Sequence, residues 1–173
     1  MGANGTLTDS TFMSNSAEWG GAIHIGSSAP NFTLTHSALI SNVAHVGGGG
    51  IACGASNTTL SDCNFTGNTA VNGDNVWWRW TITDFLNKYT QINDYDYVFI
   101  QNGVGTPNNT IVLNKKGITI HGEGDVIFDA KGGNLHFEVT GDNILIENLT
   151  FRNFNLNKNN ADRYLNFKEA FVL

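Results

Sequence analysis

Residues 5–25 (GTLTDSTFMSNSAEWGGAIHI) recur as residues 32–53 (FTLTHSALISNVAHVGGGGIAC) and again as residues 58–78 (TTLSDCNFTGNTAVNGDNVWW). No other feature limits the possible folds as strongly. Aligned, Leu7, Leu34 and Leu60 share one column, and Phe12, Leu39 and Phe65 a second. Asn15, Asn42 and Asn68 form a third column, and Ala17, Ala44 and Ala70 a fourth. The step between the Asn residues is 27 and then 26 residues, within the roughly 20–50 that marks a solenoid or array. Each copy consists of apolar pieces of about 3–5 residues bounded by Gly, Asn and Ser, and none carries the longer apolar periodicity of a helix.

Such a coil predicts an all-β fold, a right-handed parallel β-helix of the pectate-lyase-like type, in which each coil lies on the next at about 4.8 Å. Every alignment column then becomes a stack. The Leu and Phe columns point inward as apolar ladders. The Asn column sits at a bend, where Asn tolerates left-handed backbone, and its amides can hydrogen-bond up the stack. Gly20-Gly21 and Gly48 to Gly50 let the chain turn sharply. One coil cannot cover its own apolar face, so stability comes from its neighbours and the end coils need caps.

The pattern LTxSxFxxNxAxxGGAI resembles the β-helical repeats of archaeal, methanogen-type adhesin-like proteins and of bacterial polymorphic outer-membrane proteins. Here GGAI is Gly20 to Ile23, and FxxN is Phe12 to Asn15 and Phe65 to Asn68. The second copy has Leu39 in place of Phe, and the third reads Gly73-Asp74-Asn75-Val76 where GGAI is expected. The resemblance implies a non-enzymatic, cell-surface or extracellular scaffold, either a stalk or a surface for glycans and partner proteins. A polysaccharide lyase or glycoside hydrolase on the same fold is the alternative, and a fragment without independent function is a third reading.

Composition narrows the partners. Fifteen acids stand against nine Lys and Arg, for a net charge of −6, which argues against nucleic acid, whose phosphates need clustered cations. No run of 18 apolar residues offers a membrane span, and no basic, apolar leader opens the chain. It opens inside a repeat and reads as part of a longer protein. Cys63 falls in the column of Ser10 and Ser37, and Cys53 in that of Ile25. Both read as small buried side chains in preference to a disulfide, and no third Cys or His stands at metal-ligand spacing.

Coils are expected over 1–76. Residues 77–110 break the pattern. There Thr81 with Asp84, or Thr83 as the N-cap, starts a short helix whose Phe85, Leu86, Tyr89 and Ile92 share a face, read as a cap. A second coil set occupies 111–155, because Gly117 to Gly122 and Asn143 to Asn148 match at a step of 26. Residues 156–173 form a tail with weak helical spacing.

Chemistry is sparse. Asp9 and Asp62 share a column with His36 between them, and Asp125, Asp129 and Lys131 form a second small group; both read as solvated turn or strand residues. Asn72 to Asn75 lacks the downstream acid of a Ca²⁺ loop. Neither a cofactor nor a metal site is expected, and no catalytic residue is assigned. Trp77, Trp78 and Trp80 are the candidates for ligand contact, since exposed aromatics stack on sugar rings; the competing reading has them packed at the end of the coil stack.

Overall fold

A computed structural model describes residues 5–29, 31–55, 57–132, 137–153, 165–167 and 171–172. The chain is a β-solenoid of about 5 turns built from parallel strands. It divides into two compact units, Met1–Trp80 with Tyr95–Val98, and Thr81–Asp94 with Phe99–Leu173.

The first unit contains three coils. Coil 1 has β1 (Gly5–Thr8), β2 (Thr11–Met13), β3 (Ser16–Trp19) and β4 (Ile23–Ile25). Coil 2 has β5 (Phe32–Thr35), β6 (Ala38–Ile40), β7 (Val43–Gly47) and β8 (Ile51–Cys53). Coil 3 has β9 (Thr58–Ser61), β10 (Asn64–Thr66) and β11 (Val76–Trp80). The aligned columns are the register itself. Leu7, Leu34 and Leu60 pair across β1, β5 and β9, and Phe12, Leu39 and Phe65 across β2, β6 and β10. Burial follows the number of neighbours: Leu34 and Leu39 in the middle coil are 0% exposed, whereas Leu7 in coil 1 is 36% exposed.

The Asn column forms the expected ladder. Asn15 donates from its backbone N–H (3.0 Å) and side-chain amide (2.9 Å) to Asn42 Oδ1. Asn42 donates in the same way to Asn68 Oδ1, both at 3.0 Å. The left-handed residue at this bend is not Asn, however. It is the residue before it: Ser14, Ser41 and Gly67 have φ of 56°, 51° and 61°. That turn aims the Asn side chain inward along the stack, which leaves its amide free to pair with the next coil. A second left-handed column holds Asp9, His36 and Asp62, so these are bend residues and not strand residues. A third holds Gly20, Gly48 and Gly73 at φ of 61° to 69°, where a Cβ would lie 2.0–2.6 Å from the carbonyl oxygen three residues on. The third copy therefore keeps the one glycine its bend requires. Coil 3 continues beyond residue 76, contrary to the expected boundary, because Val76, Trp77 and Trp78 pair with Ile51, Ala52 and Cys53.

In the second unit, α1 (Ile82–Lys88) and a 3₁₀ turn (Tyr89–Gln91) precede the strands. Then come β12 (Tyr97–Ile100, beginning in the first unit), β13 (Gly103–Gly105), β14 (Ile111–Leu113), β15 (Thr119–Asp129), β16 (Phe137–Val139), β17 (Leu145–Arg152), β18 (Leu165–Phe167) and β19 (Phe171–Val172). β15 pairs with β17 at the expected step of 26, so that Thr119 opposes Leu145. The last two strands correct the reading of 156–173 as a tail with weak helical spacing. β18 pairs with β16 and β19 with β17, because the next stretch of chain meets a sheet edge with open hydrogen-bonding groups. The remaining tail residues lie outside the described residues.

The helix packs on apolar surface of its own unit. Phe85 is buried and meets Phe128 edge-on at 5.5 Å; Phe128 in turn stacks on Phe151 at 5.4 Å. Thr81 is the N-cap, and Asp84 completes a capping box. Burial pulls the Asp84 carboxyl upward. Hydrogen bonds from the Thr81 hydroxyl and Lys88 ammonium, then the Thr81 N–H and the Lys88 charge, outweigh burial and hold it below its ordinary value. A carboxyl depressed in the folded state contributes stability above its unfolded pKa of about 3.9 and loses it as pH falls through the folded value. We expect the melting temperature to fall below about pH 4, and Asp84→Asn to make that fall shallower in differential scanning calorimetry.

Candidate functional site

Strand alternation separates the three tryptophans. Trp78 continues the inward column of Ile25 and Cys53, and Trp80 lies two residues further on. They are 0% and 1% exposed, with ring centroids 4.8 Å apart. Both are core side chains, which removes them as a stacking surface. Trp77 directly precedes Trp78 and points to the opposite face, in the column of His24 and Ala52.

Trp77 meets a partner that the sequence reading did not single out. Trp19, at the end of β3, pairs with Gly47 after a register shift that admits an extra residue in β7. Its ring meets Trp77 edge-on, with centroids 4.9 Å apart at 65°, the arrangement aromatic quadrupoles favour. Gly47 makes the approach possible. A Cβ there would lie 2.9 Å from Trp19 Cζ3 and 3.2 Å from Trp77 Cδ1. The two half-buried indoles thus close over a residue without a side chain, and Ala52 is buried in the same column. Both rings rise from stacked strands, so little side-chain freedom remains to be lost on contact with a flat apolar ligand.

The other polar groups divide into fold-supporting and accessible ones. Asp129 accepts from the Asn153 amide (2.9 Å), the Lys131 backbone N–H (3.0 Å) and Arg152 Nε (2.9 Å). Led by the Asn153 bond, these hold its carboxyl below the usual range. Its cationic partner is Arg152, and the expected Asp129–Lys131 group reduces to a backbone contact. Asp9 and Asp62 accept from the neighbouring hydroxyls of Thr8 and Ser61, each at 2.7 Å. His36 stands 3.8 Å from Asp62 with both side chains about two-thirds exposed (64% and 67%), which is a solvated surface pair worth little. Asp74 caps its own loop by accepting from Ala70 N–H at 3.0 Å.

One accessible pair was not singled out. His121 Nδ1 lies 2.7 Å from Glu147 Oε1, and Phe99 stacks on the imidazole at 5.5 Å. The step of 26 that aligns Gly117–Gly122 with Asn143–Asn148 already places these two side by side. Gly122 and Asn148, the next residue in each strand, line an open hollow of about 460 Å³. Among the described residues, no group of three or more His, Cys, Asp or Glu could hold a metal ion. Neither cysteine is in a disulfide among the described residues, and burial pushes the Cys63 thiol up. Comparison with protein-family models, curated proteins and solved structures returns no match.

Proposed function

We propose that this chain is a non-enzymatic, adhesin-like repeat scaffold of the cell surface that holds glycans against the Trp19–Trp77 pair. The observation that carries the reading is that pair: two half-buried indoles, edge to face, closed over Gly47. Pyranose rings present an apolar C–H face that such indoles accept, and aromatic side chains dominate contact energies of this kind. The repeated interior columns are Leu, Phe, Asn and Ala, residue types that support stacking and bring no reactive group. No helix among the described residues is long and apolar enough to cross a membrane.

The test is retention of the protein on insoluble neutral polysaccharides such as chitin, β-glucan and galactan. At least one should retain it, and Trp77→Ala should weaken that retention tenfold or more while the cooperative melt persists. Equal retention of Trp77→Ala, or no retention on any polymer, overturns the reading.

The competing reading, a polysaccharide lyase or hydrolase, draws on the His121–Glu147 pair beside its hollow. A glycosidase of the common kind places a second carboxylate about 5–9.5 Å from the first, and the partner here is an imidazole. New reducing or unsaturated ends after incubation with pectin- or alginate-type polymers would establish the enzyme.

A further inference from the structure

The second unit holds a cavity of about 360 Å³ between the 3₁₀ turn after α1 and the chain around β14. Its apolar lining includes Ile92, Leu113 and Ile118, all buried. One wall is Tyr89, whose hydroxyl donates to the Thr110 carbonyl at 3.1 Å and whose ring lies 6.3 Å from that of Phe85. The phenol is thus committed to the protein, and the ring serves as an apolar surface.

The polar lining is unspent. Thr90, Asn114 and Lys115 line the cavity, and their side chains make no hydrogen bond or ion pair with the described residues. The nearby carboxylate of Asp94 is engaged by the Lys116 backbone N–H at 2.9 Å. Gln91, in the same turn, has a buried side-chain oxygen with no hydrogen-bond partner among the described residues, and buried acceptors are rarely left so. Buried apolar residues, a tyrosine, and three polar residues whose hydroxyl, amide and ammonium are unused among the described residues therefore line one small space.

We propose that this cavity is a binding site for a single carboxylate-bearing sugar ring, a uronate, free or at a chain end. The volume is at the lower end of the roughly 300–1,000 Å³ of ligand pockets, which suits one ring and not an oligosaccharide. The ring's C–H face lies against Tyr89, its hydroxyls meet Thr90 and Asn114, and its carboxylate pairs with Lys115. Lysine suits that last role, being a compact point charge that meets one carboxylate oxygen from a flexible stem. On a chain of net charge −6, an anion is drawn to a cation that no carboxylate among the described residues neutralises.

The experiment titrates the whole chain with sodium D-glucuronate and sodium D-galacturonate, read by saturation-transfer NMR and calorimetry. D-glucose, sodium acetate and inorganic phosphate are the comparison probes. At least one uronate should bind with saturation of its ring protons, and glucose should bind at least tenfold more weakly. Acetate and phosphate at equal concentration should not displace the uronate. Lys115→Met should weaken binding tenfold or more with an unchanged melting curve, since the ammonium makes no hydrogen bond or ion pair with the described residues. Asn114→Ala should weaken it about threefold, and Trp77→Ala should leave it unchanged, which separates this site from the tryptophan platform. The proposal is overturned if no uronate binds, if glucose binds equally, if acetate or phosphate displaces the uronate (a bare anion site), or if Lys115→Met binds as well as the parent chain.

Discussion

Asn42→Ala is expected to destabilise the first unit by about 4 kcal/mol, whereas Asn15→Ala, one coil away, costs under about 1 kcal/mol. The two side chains occupy one ladder but differ in their neighbours. Asn42 is 0% exposed. Its Oδ1 accepts from the Asn15 N–H and amide, and its Nδ2 donates to the Phe12 carbonyl (3.0 Å) and to Asn68 Oδ1. Alanine leaves the Asn15 N–H and the Phe12 carbonyl without partners inside the stack, each at about 1–3 kcal/mol, and opens a void as well. Asn15 is exposed. Truncating it removes one donor from Asn42 Oδ1, which keeps its bond from the Asn15 N–H. Urea denaturation followed by tryptophan emission measures both, because Trp78 and Trp80 lie in the same unit. Equal costs for the two substitutions would show that the ladder is a set of independent surface bonds.

The residues that carry the ladder were readable in the sequence because a stack converts alignment into contact. Once Asn15, Asn42 and Asn68 share a column, their spatial neighbours follow without any knowledge of the bend. The bend itself was less legible. Its left-handed residue is Ser14, Ser41 or Gly67, and neither Ser announces that backbone as Gly does. Here the ladder bond of the following Asn outweighs the small cost of left-handed Ser.

The candidate site was legible in part. Parity was available: Cys53 had been placed in the inward column of Ile25, so Trp78 had to face in and Trp77 out. What the columns could not supply was Trp19. It reaches Trp77 only through the extra residue in β7 that sets Trp19 against Gly47, and an alignment by step count skips that shift. The uronate cavity was hidden for another reason. Its two walls come from a non-repeating turn and from β14, which have no common period, so only the folded chain brings Tyr89 to Lys115. Side chains available for binding concentrate where the repeat is irregular, because within the repeat each position is already committed to the coil above or below.

The second large effect is at one such irregular place. Asp96→Ala is expected to cost about 4 kcal/mol. Asp96 is 1% exposed. Its Oδ1 accepts from the Val76 N–H at 3.0 Å and its Oδ2 from Trp78 Nε1 at 2.9 Å. A carboxylate takes two such bonds at once and makes each stronger than a neutral acceptor would, about 1.5–3 kcal/mol. Alanine strands both N–H groups next to the apolar interior. Asparagine is no rescue: it supplies one oxygen, and its NH₂ then faces a second donor, so Asp96→Asn should recover less than half of the loss. The same geometry fixes a coupling. In a double-mutant cycle, Trp78→Phe and Asp96→Ala together should cost less than the sum of the single losses by about 1.5–3 kcal/mol, because the bond between them can be lost only once. Additive losses would mean that Trp78 is held by packing without the help of its indole N–H.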